Sequence, residues 1–424
     1  MTATTVLAPS AALGPALPGV SLPGGVQGGR PDRLVGPGAL LLADIRPGEC
    51  RSWPDHRARV GPLPDLDLDA LAAAAETAGL RGHGGAGFPT ATKLRAMRGP
   101  RPALVVVNAS EGEPASAKDG VLLRHVPHLV LDGALLAAAA VGARTVTVRV
   151  TEDRHDLPAV VRAAAAERGL GAAVRVSVGP AAFAAGEASA VVNALAGRPA
   201  LPSPVGRPPR LPSRLPGRGR PVLVSNVETF ARLALAARAL PSSSALLTVS
   251  GAVARPGVHE LPTTATLRDA VLAAGPTEDL AAVVTGGWHG RWLPWSEPVA
   301  RAPLTRDGLD GVGGRWGAGI LVAVPGSVCR LAVVAAVART LAAGIAGQCG
   351  PCRAGLPFAA AELSRAVTLP HPGPALVEAS DALAALHGRG LCAHPTASAE
   401  ALRSALAWAR PDVEAHRSGR CLAR

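Results

Sequence analysis

The chain contains no tyrosine, and its 424 residues include only four phenylalanines and two methionines. Single-stranded nucleic acid is usually gripped by aromatic rings set among cations, and this chain lacks the rings. Lysine is nearly absent too, with Lys93 and Lys118 the only two. The formal charge of +12 (43 basic against 31 acidic residues) is therefore almost all arginine, and it is scattered rather than striped. No nucleic-acid partner is expected. Six cysteines are too few to staple a chain of this length, so no disulfide framework is expected. The N-terminus shows no basic start, apolar stretch and cleavage pattern of a secretory signal. The apolar stretches Leu131 to Ala143 and Leu331 to Ala346 are short or broken by charge, so no membrane span is expected. A reducing cytoplasm is the expected compartment.

Scarcity makes the rare residues informative. Asparagine occurs only at 108, 193 and 226, and these positions, like both lysines, fall in or beside glycine-rich and acidic segments. A composition that avoids a residue type keeps it where chemistry or packing needs it.

Alternation of short apolar runs and helical stretches sets the organisation. Residues 1–37 are an aperiodic Ala/Pro/Gly lead-in. A helix is expected from Leu66 to Ala78, ending at Gly79. Strands are expected at Ala103–Asn108, Thr145–Val150 and Val174–Val178, with helices at His128–Val141 and 156–168 between them. This rhythm predicts a mostly parallel α/β sheet over residues 38–240, with its site at the carboxyl ends of the strands. Residues 198–221 are dense in Pro and Arg and read as a linker or wrapping loop. A small β-module is expected at 245–305 and a helical region at 325–424.

Five glycines between Gly79 and Gly87 strip side chains from one loop, so backbone N–H groups can approach a phosphate or flat ring. Lys93 follows as a candidate cation. The loop is neither a P-loop nor the standard dinucleotide fingerprint, and a tight surface turn explains it equally well. Asn108, Glu111 and Glu113 stand just past a strand, able to bond a flavin edge or ribose hydroxyls, or simply to form a solvated acidic turn. Gly186-Glu187 and Asn226 to Thr229 are further polar turns. Cys349 and Cys352 share one turn and Cys392 follows forty residues later, an arrangement suited to a soft metal centre. Three is one short of a closed four-thiolate site. With nearby His394 the set also matches a Cys3His zinc site.

Taken in order, Leu80 through Lys93, Asn108 through Asp119, Gly186 to Ser189, Ser225 through Thr229, Ile345 to Gly355 and Cys392 resemble one family. It is the flavin-bearing, NADH-oxidising subunit of respiratory complex I, with relatives in bidirectional hydrogenases and NAD-linked formate dehydrogenases. The resemblance covers about residues 40 to 424 and extends to a tail from Glu414 to Cys421. It implies a Rossmann-like FMN-binding domain, an SLBB ubiquitin-like β-module and a C-terminal helical iron–sulfur domain. It implies FMN held by Gly82, His83, Gly84, Gly85, Gly87, Lys93, Asn108, Glu111, Glu113, Gly186, Glu187, Asn226 and Thr229, with Phe88 beside the adenine of NADH. It further implies a cluster on Cys349, Cys352 and Cys392, either 4Fe–4S or 3Fe–4S. The flavin would do the chemistry, so no catalytic side chain is named.

Several positions depart from the family pattern. Ala346 replaces the first cluster cysteine, His83 an arginine, Ser110 an aspartate, Ala188 a glutamate, Ser225 an asparagine and Leu94 a tryptophan; an aromatic-bearing segment becomes Arg207 to Pro212. The function implied is electron transfer from NADH through FMN to the cluster. Two alternatives stand beside it: an FMN carrier without NADH binding, or a non-catalytic assembly subunit. The partners implied are NAD(H), a ferredoxin-like or other iron–sulfur subunit, and a membrane reductase holding the chain at the inner face.

Overall fold

The computed structural model describes residues 40–46, 48–204, 213–217, 219–369 and 371–423. The 1–37 lead-in and the Arg207 to Pro212 segment lie outside the described residues. Valine-rich runs with both faces covered form the first sheet: β1 (Leu104–Ala109), β2 (Val146–Thr151), β3 (Val174–Gly179), β4 (Ser213–Arg214) and β5 (Pro221–Asn226). Burial on both faces is what a parallel sheet flanked by helices requires. Its order is β3-β2-β1-β5-β4, parallel except for the short antiparallel edge strand β4. The chain builds outward from β1 to β3 and then returns to place β5 on the other side of β1. That reversal opens a crevice at the carboxyl ends of β1 and β5, where ligands of open α/β sheets gather. Asn108 and Asn226 face each other there as register partners.

Two helices hold the sheet's back. Pro127–Ala140 and Val227–Ala236 are buried almost all round. They cross at Gly133, where a Cβ would occupy the Phe230 carbonyl. Asp132 beside it is fully buried, bonded to His56 (2.8 Å), Arg168 (2.7 Å) and Arg238 (2.6 Å).

The second sheet contains β6 (Ser244–Gly251), β7 (Gly257–Pro262), β8 (Leu280–Thr285), β9 (Arg291–Pro294) and β10 (Ile320–Pro325), in the order β7-β6-β10-β8-β9. Its middle strand, β10, runs parallel to β6 and antiparallel to β8. It lies beyond the 245–305 span expected from sequence, because two short helices, Glu297–Ala300 and Arg306–Gly311, intervene. The wholly buried run of β10 has no polar alternation to mark it as a strand. Beyond it, helices Arg330–Ala343, Leu356–Thr368, Gly373–Leu386, His394–Trp408 and Arg410–Arg417 pack into a bundle. Leu331, Leu356, Leu363, Leu383 and Leu402 form its core, which continues into Trp288 and Trp292 of the second sheet's face. No single described helix is long and apolar enough to cross a membrane.

Candidate functional site

The crevice between β1 and β5 is a cavity of about 430 Å³ whose walls come from every part of the described chain, from His83 to Ala397. The glycine loop forms one wall. Gly85 has φ +112°, reachable without strain only by glycine, and a Cβ there would meet no atom, so its backbone faces open space. Gly84 packs on the Asn226 side chain. A hydrogen-bonded ring fixes the loop: Asn226 Oδ1 accepts from Thr229 N (3.1 Å) and Thr229 Oγ1 (2.5 Å), and Thr229 Oγ1 accepts from His83 N (3.0 Å). Across the cavity Asn108 Nδ2 donates to the Gly186 carbonyl (2.8 Å). Glu187 caps helix Ala188–Leu195 by accepting from Ser189 N and Ala190 N.

Other residues expected at the flavin take different places. Glu111 borders the cavity, but its buried carboxylate accepts from Ser116 Oγ (2.8 Å), Asp119 N (2.9 Å), Gly120 N (3.2 Å) and Arg154 Nη2 (3.0 Å). It anchors the N-terminus of helix Lys118–His125 rather than pointing at a ligand. Lys93 donates Nζ to the Val224 carbonyl (2.8 Å) on β5, and burial lowers its pKa. Gly82 N donates to Phe88 O (2.8 Å), closing the loop's base. Lys93, Gly82, Phe88 and Thr229 are not in the cavity lining, and Gly87 lines an adjoining cleft of about 850 Å³ with Arg81 and Arg306. Glu113 spans two sheets: its Oε2 accepts from Trp288 N at 3.1 Å.

Residues outside the expected flavin list, with His83 from within it, supply much of the electrostatics. Lys118 is 1% exposed and donates to Glu228 Oε2 (2.6 Å) and Asp119 Oδ1 (3.4 Å). Burial works against the Glu228 carboxylate, yet His83, Lys118 and Arg232 hold it well below the usual range. His83 Nδ1 lies 3.0 Å from Glu228 Oε1, though not aligned as a hydrogen bond, and burial pushes its pKa down to about 4. Burial disfavours the charged imidazole here, while Glu228 alongside opposes that shift. Phe183, His289 and His394 form a triangle of rings with centroids 4.8–5.2 Å apart on the cavity wall. Burial, with His394 nearby, lowers His289 to about 3. Scarcity and its place in the family-like segment Asn108 through Asp119 marked Lys118, whereas scarcity alone marked Phe183.

The cysteine site adjoins this wall. Cys352 lies in the single π-helical turn Pro351–Gly355 and contacts both Cys349 and Cys392. Those contacts, together with burial, raise the Cys352 thiol, while the Cys352 hydrogen bond lowers Cys392 to about 6. Among the described residues, the one set of three or more ligand atoms within 4.8 Å of one another lies elsewhere. Three soft thiols remain the donors that an iron–sulfur cluster takes. His394, the expected nitrogen of a Cys3His site, places Nε2 on the Leu341 carbonyl at 2.9 Å. The donor set therefore fits a cluster with three cysteine ligands. Cys392 also lines the flavin-sized cavity.

Known proteins share this arrangement. Residues 75–235 match the Nuo51 FMN-binding domain, and residues 332–416 match the NADH-ubiquinone oxidoreductase-F iron-sulfur binding region. The F subunit of the Aquifex aeolicus NADH-quinone oxidoreductase is 31% identical over 308 residues, covering 65% of this chain and 69% of that protein. The chain belongs to the family of NADH-quinone oxidoreductase F subunits. The Escherichia coli member is 28% identical over 404 residues, 87% of this chain and 88% of that one. An NAD+-reducing NiFe hydrogenase in its H2-reduced state shares the family's fold, with TM-score 0.74 and 31% identity. That alignment covers 82% of this chain but 63% of the hydrogenase chain. Membership fits the meeting of the FMN-binding domain and the iron–sulfur region at one cavity.

Proposed function

We propose that this F-subunit relative takes electron pairs from NADH and passes them singly, through FMN and an iron–sulfur cluster, to an iron–sulfur partner subunit. The observation that carries this reading is that Cys392 lines the same cavity as Gly85 and Asn108. A flavin accepts a hydride and releases electrons one at a time when bound. The chain's part is to hold, orient and insulate. Gly84, Gly85, Asn108, Gly186, Glu187 and Asn226 would hold the flavin, while Glu113 locks the second sheet over it. Lys118 and the carboxylates around it set the local charge. The Phe183–His289–His394 rings exclude water from the wall beside Cys392. Cys349, Cys352 and Cys392 would carry the cluster, leaving the corner at Ala346 without a thiolate. The domain division this implies is 40–240, 244–325 and 330–423.

A second reading, an FMN carrier exchanging electrons with a ferredoxin-like partner without NADH, is favoured by one observation. His83 stands where the family pattern has an arginine, so a permanent cation is missing from the nucleotide approach. Anaerobic stopped-flow mixing decides between them. NADH should bleach the flavin absorbance within the mixing experiment; unchanged absorbance at millimolar NADH, with dithionite still bleaching it, would leave only the carrier.

A further inference from the structure

Away from the flavin, at the far end of helix Arg330–Ala343, four ligand-bearing side chains converge. Cys329 caps that helix's N-terminus. Asp412 and His416 are four residues apart on helix Arg410–Arg417, hence on one face. Cys421 arrives from the tail just beyond Gly419, which has φ +69°. One ligand atom from each of the four lies within 4.8 Å of the others. We propose that Cys329, Asp412, His416 and Cys421 form a tetrahedral zinc site that closes the C-terminal tail onto the helical bundle.

The distances suit one shared ion. Zinc bonds of about 2.3 Å to sulfur and about 2.0 Å to nitrogen place tetrahedral S and N about 3.5 Å apart. Cys329 Sγ and His416 Nε2 are 3.4 Å apart. Two thiolates, an imidazole and a carboxylate are a normal donor set for zinc. Arg330 steadies the carboxylate: its backbone N donates to Asp412 Oδ1 (3.2 Å), and its Nε lies 3.4 Å from Oδ2. That guanidinium also rests over the Trp408 ring at 5.3 Å, so it is held in place. With zinc bound, two thiolates and a carboxylate (three negative charges) meet the ion's two and Arg330's one. A disulfide between Cys329 and Cys421 would leave the focus of His416 and Asp412 on the same point without a role. The fourteen-residue helix that starts at the site ends beside the cysteine loop, about 21 Å away. The two metal sites thus sit at opposite ends of one helix.

The test uses the full chain purified without oxygen and equilibrated with a slight excess of zinc. Elemental analysis should find about one zinc per chain, and absorption at the zinc edge should show two sulfurs near 2.3 Å with N/O ligands near 2.0 Å. In Cys421→Ser and His416→Ala, zinc should fall at least tenfold while iron stays constant. His416→Ala keeps both thiols and lies on the surface side, so it guards against misfolding of the cysteine variant. Three outcomes overturn the proposal: zinc at background in the unaltered chain, a shell of three sulfurs lost only in Cys349→Ser, or a Cys329–Cys421 disulfide in the anaerobic protein.

Discussion

At the scale of single residues, the pocket separates groups that face a ligand from groups that face inward. Asn226 and Glu111 were equally good candidates in sequence, but Glu111 spends its carboxylate on four donors inside the protein. Glu113 also bonds within the protein, accepting from Trp288 N across the cavity mouth from the first sheet. Replacing it by alanine leaves that N–H unpartnered, at a cost of about 1–3 kcal/mol. Glu113→Ala is expected to weaken FMN binding roughly ten- to a hundredfold, read by titrating flavin fluorescence; unchanged affinity would remove Glu113 from the site. Ala346 offers the complementary experiment. If a corner of the cluster lacks only its thiolate, Ala346→Cys should raise iron from about three to about four per chain, or abolish exchange at the fourth iron. Iron and sulfide counts identical in both proteins, with the same paramagnetic signal, would put the missing ligand elsewhere. These assignments were readable in the sequence only where rarity or motif marked a residue. Lys118 stood inside a family-like segment, but its burial against Glu228, 110 positions away, is a fact of the fold.

Among elements, the first sheet was legible because valine runs and intervening helical stretches repeat, each marked by its own period. The helix bounds Pro127–Ala140 and Leu157–Glu167 fall within a residue or two of those read from sequence. What remained hidden was β5 itself, which follows a segment read as a linker; its return beside β1 makes the crevice. β10, a run as apolar as β1, fell outside the expected module because two short helices separate it from β9. The contact of helices Pro127–Ala140 and Val227–Ala236 supplies a sharp test. Gly133→Ala sets a methyl against the Phe230 carbonyl, so the helices must part. A loss of at least about 1–3 kcal/mol is expected, visible as a lowered urea midpoint. Asp132→Ala next to it removes the anion shared by His56, Arg168 and Arg238, and about 3–5 kcal/mol should be lost. Wild-type stability in either variant would mean that this packing is wrong.

For the whole molecule, three histidines, one buried and two on the cavity wall, set an acid limit. Burial lowers His83 and His128 to about 4 and His289 to about 3. The folded state keeps them neutral, whereas the unfolded chain takes up protons near pH 6.5. Protons therefore favour unfolding as pH falls from about 6.5 toward 4, and the stability present at neutral pH is lost across that window. Asp119, raised mainly by burial, works in the opposite direction, while His125 and His394, lowered by burial, act with the three. The urea midpoint should fall steadily from pH 7 to pH 4, and His83→Gln should flatten part of the slope. A midpoint level down to pH 4.5 would contradict this.

The cavity's lining begins at His83 and ends at Ala397. A ribosome must therefore have released the chain through Ala397 before the flavin has its complete cavity. Cofactor loading is a late event in this protein's biogenesis, and nascent chains halted before the helical bundle should emerge colourless.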